Sequence, residues 1–176
     1  MKPIYIKNAF GYNLEDLLKL EWLQATETRK EYFMSDIPRK YSYGKGRGVR
    51  DYFSNNYSKE VLQIQEDLNL LFKCNYNVCF LNRYDTQKNH LGWHADDFVG
   101  MDQSHPIAVV SFGAEREIWW KKKDYKGIIP QENRQLLENG SLFIMPGGFQ
   151  DDYYHKIPKC DKSCGIRVSL TFRKIS

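Results

Sequence analysis

The chain has 176 residues, of which 41% are hydrophobic and 27% charged, which suits one domain with a sizeable core and excludes a disordered chain. A net charge of +4 permits a polyanionic partner without requiring one, and no run approaches the roughly 18 apolar residues of a membrane span. The opening MKPIYIKNAF has no apolar h-region or small-residue cleavage site, so an intracellular (cytoplasmic or nuclear) protein with free thiols at Cys74, Cys79, Cys160 and Cys164 is expected.

In chain order, Leu14, Leu17, Leu18 and Leu20 predict a short amphipathic helix between Asn13 and Gln24, with Asn13 as N-cap. The stretch from Arg29 to Arg50 gathers Arg29, Lys30, Arg39, Lys40, Lys45, Arg47 and Arg50, interleaved with Tyr32, Phe33, Tyr41 and Tyr43 and loosened by Gly44, Gly46 and Gly48. Cations and aromatic faces in a pliable segment suit a phosphate backbone and unstacked bases, and equally a solvated loop whose rings plug the core. Val61, Leu62, Ile64, Leu68, Leu71 and Phe72 predict a second helix over Lys59–Phe72, capped by Ser58. From Asn77 onward the texture changes to strand-like runs: Val78–Tyr84, Ile107–Phe112, Glu117–Lys121, Ser141–Met145, Tyr153–Ile157 and Arg167–Arg173. Helices followed by many short strands predict an α+β domain with a double-stranded β-helix (jelly roll) core. Residues of about 1–55 form an N-terminal extension, and about 56–176 the core.

His94 and Asp96 stand two apart, which on a strand directs both side chains to one side. With His155 from a distant strand they would make the facial triad of non-haem iron oxygenases. A hydrogen-bonded surface pair is the plain alternative, and His155 with Cys160 and Cys164 could instead serve zinc, though no fourth ligand is evident. His90 and His105 read as loop residues.

Arg167-Val-Ser-Leu-Thr-Phe-Arg173 alternates cleanly, with Arg167, Ser169, Thr171 and Arg173 on one face. Turned inward, two guanidiniums and two hydroxyls call for an anion, and a dicarboxylate answers; turned outward, they simply meet water. Asn82 and Tyr84 share a strand face and can both donate to carboxylate oxygens.

These residues sit in stretches that resemble the AlkB family of 2-oxoglutarate- and iron-dependent oxygenases, most of all its eukaryotic-type DNA-repair members. The stretches are PRKYSYG from Pro38, LNRY from Leu81, HLGWHADD from His90, HPIAVVSFGAERE from His105, ENGSLFIM from Glu138, YYHKIP from Tyr153 and RVSLTFRKI from Arg167. They follow family order from about Pro38 to the end of the chain. The resemblance implies that His94, Asp96 and His155 hold Fe(II), and that Asn82, Tyr84, Arg167, Thr171 and Arg173 hold 2-oxoglutarate. It puts the first arginine near the metal and the second on the distal carboxylate, although the reverse division also fits. It further implies that Asp97 contacts a flipped base, that Arg39, Lys40 and Tyr43 lie on the substrate side, and that Tyr52 or Phe53 stacks on the base.

The function so implied is oxidative dealkylation of N-alkylated DNA or RNA bases of the 1-methyladenine and 3-methylcytosine type. It consumes O2 and releases aldehyde, succinate and CO2, with a monomer acting on single-stranded or flipped-out substrate. The segment after Pro38 is shorter than in the repair enzymes, Pro146-Gly-Gly-Phe-Gln-Asp-Asp152 replaces their usual stretch with an acidic one read as flexible, and no duplex wedge is recognisable. A hydroxylase of a protein or small molecule and a non-enzymatic nucleic-acid binding module are the competing readings. A zinc deaminase lacks its H-x-E and P-C-x-x-C residues.

Overall fold

The computed structural model describes residues 1–24, 26–43, 50–97 and 99–176; the Tyr43 side chain and the segment carrying Gly44, Lys45, Gly46, Arg47 and Gly48 lie outside the described residues. Helix α1 (Leu14–Leu18) begins at Asn13, whose Oδ1 accepts from Glu15 N at 3.0 Å. It is shorter than the leucine spacing predicts. The Trp22 indole donates to Leu17 O at 3.0 Å and Leu23 bridges to Glu31, so the chain leaves the helix to join a sheet. Helix α2 (Lys59–Phe72) has the predicted extent and the predicted Ser58 cap, and closes at Lys73 in the left-handed region.

The strands are β1 (Ile4–Ile6), β2 (Lys30–Ser35), β3 (Lys40–Tyr43), β4 (Arg50–Phe53), β5 (Val78–Tyr84), β6 (Leu91–His94), β7 (Ile107–Gly113), β8 (Arg116–Lys122), β9 (Arg134–Leu137), β10 (Leu142–Met145), β11 (Tyr153–Ile157) and β12 (Arg167–Arg173). One sheet runs β1-β10-β7-β12-β5-β2, a second β6-β11-β8-β9, and β3-β4 form a hairpin. Every pairing of these strands is antiparallel. The result is a mainly antiparallel, jelly-roll core with few helices. No helix among the described residues is long and apolar enough to cross a membrane.

Two apolar layers flank the six-stranded sheet. On one face, Leu17 of α1 and Val61, Ile64 and Leu68 of α2 pack with Leu81, Val110, Leu170 and Phe172. On the other, Val109, Phe143 and Met145 meet Ile118 and Ile157 of the four-stranded sheet. Each fully buried side chain of this size contributes about 1.5–3 kcal/mol. The alternation of β12 splits between the layers: Val168, Leu170 and Phe172 face the helices, while Arg167, Ser169, Thr171 and Arg173 point the other way and are buried too. A third cluster joins Phe33, Val78 and Phe80 to Tyr41 and Tyr52 of the hairpin. The cationic stretch is therefore not a loop at its start, because β2 pairs with β5 over its full length and buries Glu31, Phe33 and Met34.

Candidate active site

The inward-facing polar side chains converge at the open end between the two sheets. His155 lies mid-strand on β11, opposite His94 on β6 and Trp120 on β8. Between His155 and Ile157 of β11, three steps of β6 (Leu91 to His94) are spanned by two. This bulge lets both Leu91 and His94 face inward, where strict alternation would turn one of them out. Asp96 is not on the strand as the spacing suggests; β6 stops at His94. Asp96 is placed instead by its own N–H, which donates to Gln150 Oε1 at 2.8 Å.

Gln150 belongs to the short helix α3 (Phe149–Asp152), so the acidic stretch predicted to be flexible is folded, with Phe149 wholly buried. Helix α3 is held close by Gly147. A Cβ built there would lie 2.0 Å from Ser104 O, so only glycine lets the two backbones approach.

One ligand atom from each of His94, Asp96 and His155 falls within 4.8 Å of the others. The two imidazole Nε2 atoms lie 3.4 and 3.6 Å from Asp96 Oδ1, an oxygen that is buried and has no hydrogen-bond partner. The His94 Nδ1–H donates to Gly92 O at 2.8 Å, the bond that fixes the ring and frees Nε2 for a metal. Burial alone would raise the Asp96 pKa. The Arg173 guanidinium, with Nε and Nη2 donating to Oδ2 at 3.0 and 2.8 Å, and then the imidazoles outweigh it and hold the carboxyl well below the usual range. Burial, reinforced by His94 and opposed by Asp96, pushes His155 down to about 3, so it is neutral at physiological pH. An ionised carboxylate and a neutral imidazole are the forms a metal binds. Cys160 and Cys164 are not part of this group.

Beyond the metal ligands the cavity is lined by Asn82, Tyr84, Arg167, Ser169, Thr171 and Arg173. The two arginines divide opposite to the first assignment: Arg173 is on Asp96, while Arg167 lies away from it against the Tyr84 ring, 5.2 Å from its centroid. Arg167 is 1% exposed, donates through Nη2 to Ser111 Oγ at 2.9 Å, and leaves Nε and Nη1 without a partner. Burial draws its pKa to about 10, yet it stays charged at neutral pH. Arg116 lies 5.2 Å from the same Tyr84 ring and is equally buried. Arg167, an enclosed cation with open donors and no carboxylate in ion-pair distance among the described residues, calls for an anionic ligand, and the keto diacid 2-oxoglutarate fits that need.

A second recess on the other side of His94 and Asp96 is lined by Arg29, Glu31, Tyr41 and Phe80. Sequence reasoning missed its polar network. Glu31 is 1% exposed; its Oε1 accepts from Tyr52 Oη at 2.7 Å and Arg50 Nη1 at 3.3 Å, and Arg29 lies 3.5 Å from Oε2. Arg29 Nε also donates to Asn82 Oδ1 at 3.0 Å, tying this recess to the first cavity.

The residues expected on the substrate side are scattered. Tyr52 is 1% exposed and packs on Tyr41 and Phe80, so its enclosed ring has no face for a base; Phe53, on the opposite side of β4, is 71% exposed. Arg39 and Lys40 do not line either recess. They border a neighbouring groove with Tyr41, where Arg39 is held by Asp36 and Lys40 by Asp51. Asp97 is exposed immediately after the candidate metal carboxylate.

The family model of the 2OG-Fe(II) oxygenase superfamily matches residues 17–173. The chain belongs to that superfamily. Within it the chain is AlkB-like, and Fe(II) and 2-oxoglutarate are the metal and cosubstrate that its His-Asp-His site fits. It is 38% identical over 104 residues to the DNA oxidative demethylase ALKBH2 of Homo sapiens, a match covering 57% of this chain and 40% of that protein. The Arabidopsis thaliana protein of the same name is 33% identical over 135 residues, covering 64% and 43%. The alpha-ketoglutarate-dependent dioxygenase alkB homolog 3 of Homo sapiens is 35% identical over 109 residues, covering 57% and 37%. The chain thus spans about two fifths of the length of these curated relatives. A solved structure described as "The structure of OsALKBH1" superposes with a TM-score of 0.64 at 16% identity, covering 98% of this chain and 97% of that one. At that identity the likeness shows the fold alone.

Proposed function

We propose that this chain is an Fe(II)- and 2-oxoglutarate-dependent dioxygenase that oxidatively removes alkyl groups from bases in DNA or RNA. The observation that carries the proposal is the unpartnered, buried Asp96 Oδ1 facing His94 and His155, in one cavity with the open donors of Arg167. The similarity to proteins named DNA oxidative demethylases supports the choice of substrate.

His94, Asp96 and His155 would hold the ferrous ion. When bound, iron with 2-oxoglutarate and O2 supplies the oxidant that hydroxylates an N-alkyl carbon, with succinate and CO2 as coproducts. The remaining work is the chain's own. Arg167 would hold the far carboxylate of the cosubstrate through its open donors, with Tyr84 as the platform that orients the guanidinium. Asn82 and Thr171 add polar contacts along the cavity wall. Arg173 keeps Asp96 ionised and fixes its orientation. The base enters by the recess lined by Glu31, Tyr41 and Phe80, and Asp97 and Phe53 meet the strand outside. A base stacked in a duplex cannot reach a metal between two sheets, so the substrate is single-stranded or flipped out. The enzyme acts as a monomer.

The test is formaldehyde release from methylated oligonucleotides by purified protein with ferrous iron, ascorbate and 2-oxoglutarate. Product is expected from the parent and none from Asp96→Ala. If 2-oxoglutarate binds but a broad panel of N-alkylated DNA and RNA yields no product, the substrate assignment is wrong and the reaction lies on a protein or small molecule.

A further inference from the structure

The outer face of the four-stranded sheet carries a second feature that the metal site does not use. Trp93 of β6 precedes His94, and Lys156 of β11 follows His155, so as the two ligands turn inward their neighbours turn outward. Lys121 Nζ and Lys156 Nζ each lie 4.8 Å from the Trp93 ring centroid. Lys156 Nζ is also 4.9 Å from the Trp119 ring, and the Arg134 guanidinium lies 4.1 Å from that same ring. The order Lys121–Trp93–Lys156–Trp119–Arg134 is a continuous alternation of cation and indole. It crosses all four strands from the β6 edge to β9, about 14 Å at the usual strand spacing.

Among the described residues no carboxylate lies within ion-pair distance of Lys121, Lys156 or Arg134. Glu117, the acid beside them, accepts from the Trp119 indole at 2.7 Å. Each ammonium is thus held in place by a ring, at about 0.5–1 kcal/mol per exposed contact, and keeps its hydrogen-bond donors for something else. Fixed cations without counter-charges, spaced by flat rings, complement a single strand's phosphates and bases.

We propose that this outer ladder is a docking track for the single-stranded nucleic acid that flanks the reacting nucleotide. The proposal rests on the nucleic-acid reading of the active site. The strand passes round the β6 edge, where Trp93 outside and His94 inside are consecutive residues, and lays its backbone along Lys156 and Lys121. Such a track supplies affinity independent of sequence, and leaves the lesion to be chosen at the metal.

The test compares the parent with the double variant Lys121→Gln/Lys156→Gln. The probe is a fluorescein-labelled unmethylated single strand of about 15 nucleotides, titrated between about 50 and 200 mM salt. The variant is expected to bind on the order of tenfold more weakly at low salt. Its slope of log K against log salt should be shallower by about 1.4, at about 0.7 for each phosphate no longer neutralised, so its deficit narrows about sevenfold over that range. Lys121→Arg/Lys156→Arg should restore the slope, which separates loss of charge from loss of folding. Turnover of a methylated trinucleotide, too short to reach the ladder, should be unchanged while KM for the long strand rises. An unchanged slope in the glutamine variant overturns the proposal. A parent that does not bind the strand at about 50 mM salt overturns it too and assigns the face to another class of partner. Failure to release formaldehyde from any substrate would sink the dealkylase reading separately, because the slope is read without turnover.

Discussion

Replacing Arg167 by methionine should abolish cosubstrate binding without weakening the metal-free protein. Arg167 is 1% exposed and donates a hydrogen bond to Ser111 Oγ. In the free protein it is a buried cation with two open donors. Exchanging such a group for an apolar one of similar volume is often neutral or stabilising by about 1–4 kcal/mol. Against that stand the loss of the Ser111 bond, about 1 kcal/mol, and of the packing on Tyr84, about 0.5–2 kcal/mol. A methionine sulfur on the same ring restores about 0.3–1.5 kcal/mol. The balance lies near zero or slightly favourable, so the melting temperature should stay within a few degrees of the parent's.

Binding should respond very differently. Two charge-assisted hydrogen bonds to a carboxylate are worth roughly 3–6 kcal/mol together, or about a thousandfold in Kd near the middle of that range. Isothermal titration of 2-oxoglutarate with a redox-inert divalent metal present, alongside thermal melts with and without the diacid, reads both quantities. The parent should gain about 2.7 kcal/mol at a hundredfold excess over its Kd and the variant nothing. Parent-like affinity in the variant, or a metal-free protein destabilised by several kcal/mol, would refute the reasoning.

Gln150→Leu removes the acceptor of the Asp96 N–H and should weaken metal affinity about 10–100-fold with little change in fold, as read by metal titration and circular dichroism. Gly147→Ala puts a methyl 2.0 Å from Ser104 O and should lower the melting temperature and metal affinity together, since it displaces α3. Phe53→Ala should cost about 1–3 kcal/mol in oligonucleotide binding and leave stability unchanged, whereas Tyr52→Phe should destabilise by about 1–3 kcal/mol by removing its bond to Glu31. Since the folded-state pKa of His155 is lowered from 6.5 to about 3, below pH 6.5 the unfolded chain binds a proton that the folded chain does not. The metal-free protein should therefore lose roughly 3 kcal/mol between pH 6.5 and 4 from this residue, a loss that denaturant titrations should find absent in His155→Gln.

Where burial follows a simple period, the structure was legible in the sequence. The alternation of β12 separates Val168, Leu170 and Phe172 from the four polar residues of its other face, and both sets lie where period two puts them. The Ser58 cap and the apolar spacing of α2 are equally local signals. The short strands β1, β4 and β9, of three or four residues, are too brief for a period to show. Their burial is decided by partners far along the chain, as Ile4–Ile6 lie beside β10.

The triad could be named from the sequence, but the means of its assembly could not. The bulge that turns His94 inward, the departure of Asp96 from the strand and its anchoring by Gln150 are products of tertiary packing. Glu31 and Arg29 read as ordinary members of a charged stretch, because nothing in the sequence says that β2 is buried on both sides. That Arg173 and not Arg167 meets Asp96 follows from where Asp96 lies along β12, which spacing alone leaves open.

The proposed activity requires His94, Asp96 and His155 to hold one ferrous ion in the cavity where Arg167 binds a diacid. Anaerobic titration with ferrous iron and 2-oxoglutarate, followed by visible absorption, examines this directly. The parent should take up a single iron per chain and develop a charge-transfer band only when both are present. His94→Ala, Asp96→Ala and His155→Ala should each lose the band, and Arg167→Met should lose it while still binding iron. A band that persists in Asp96→Ala, or iron bound elsewhere with all three residues replaced, would contradict the site.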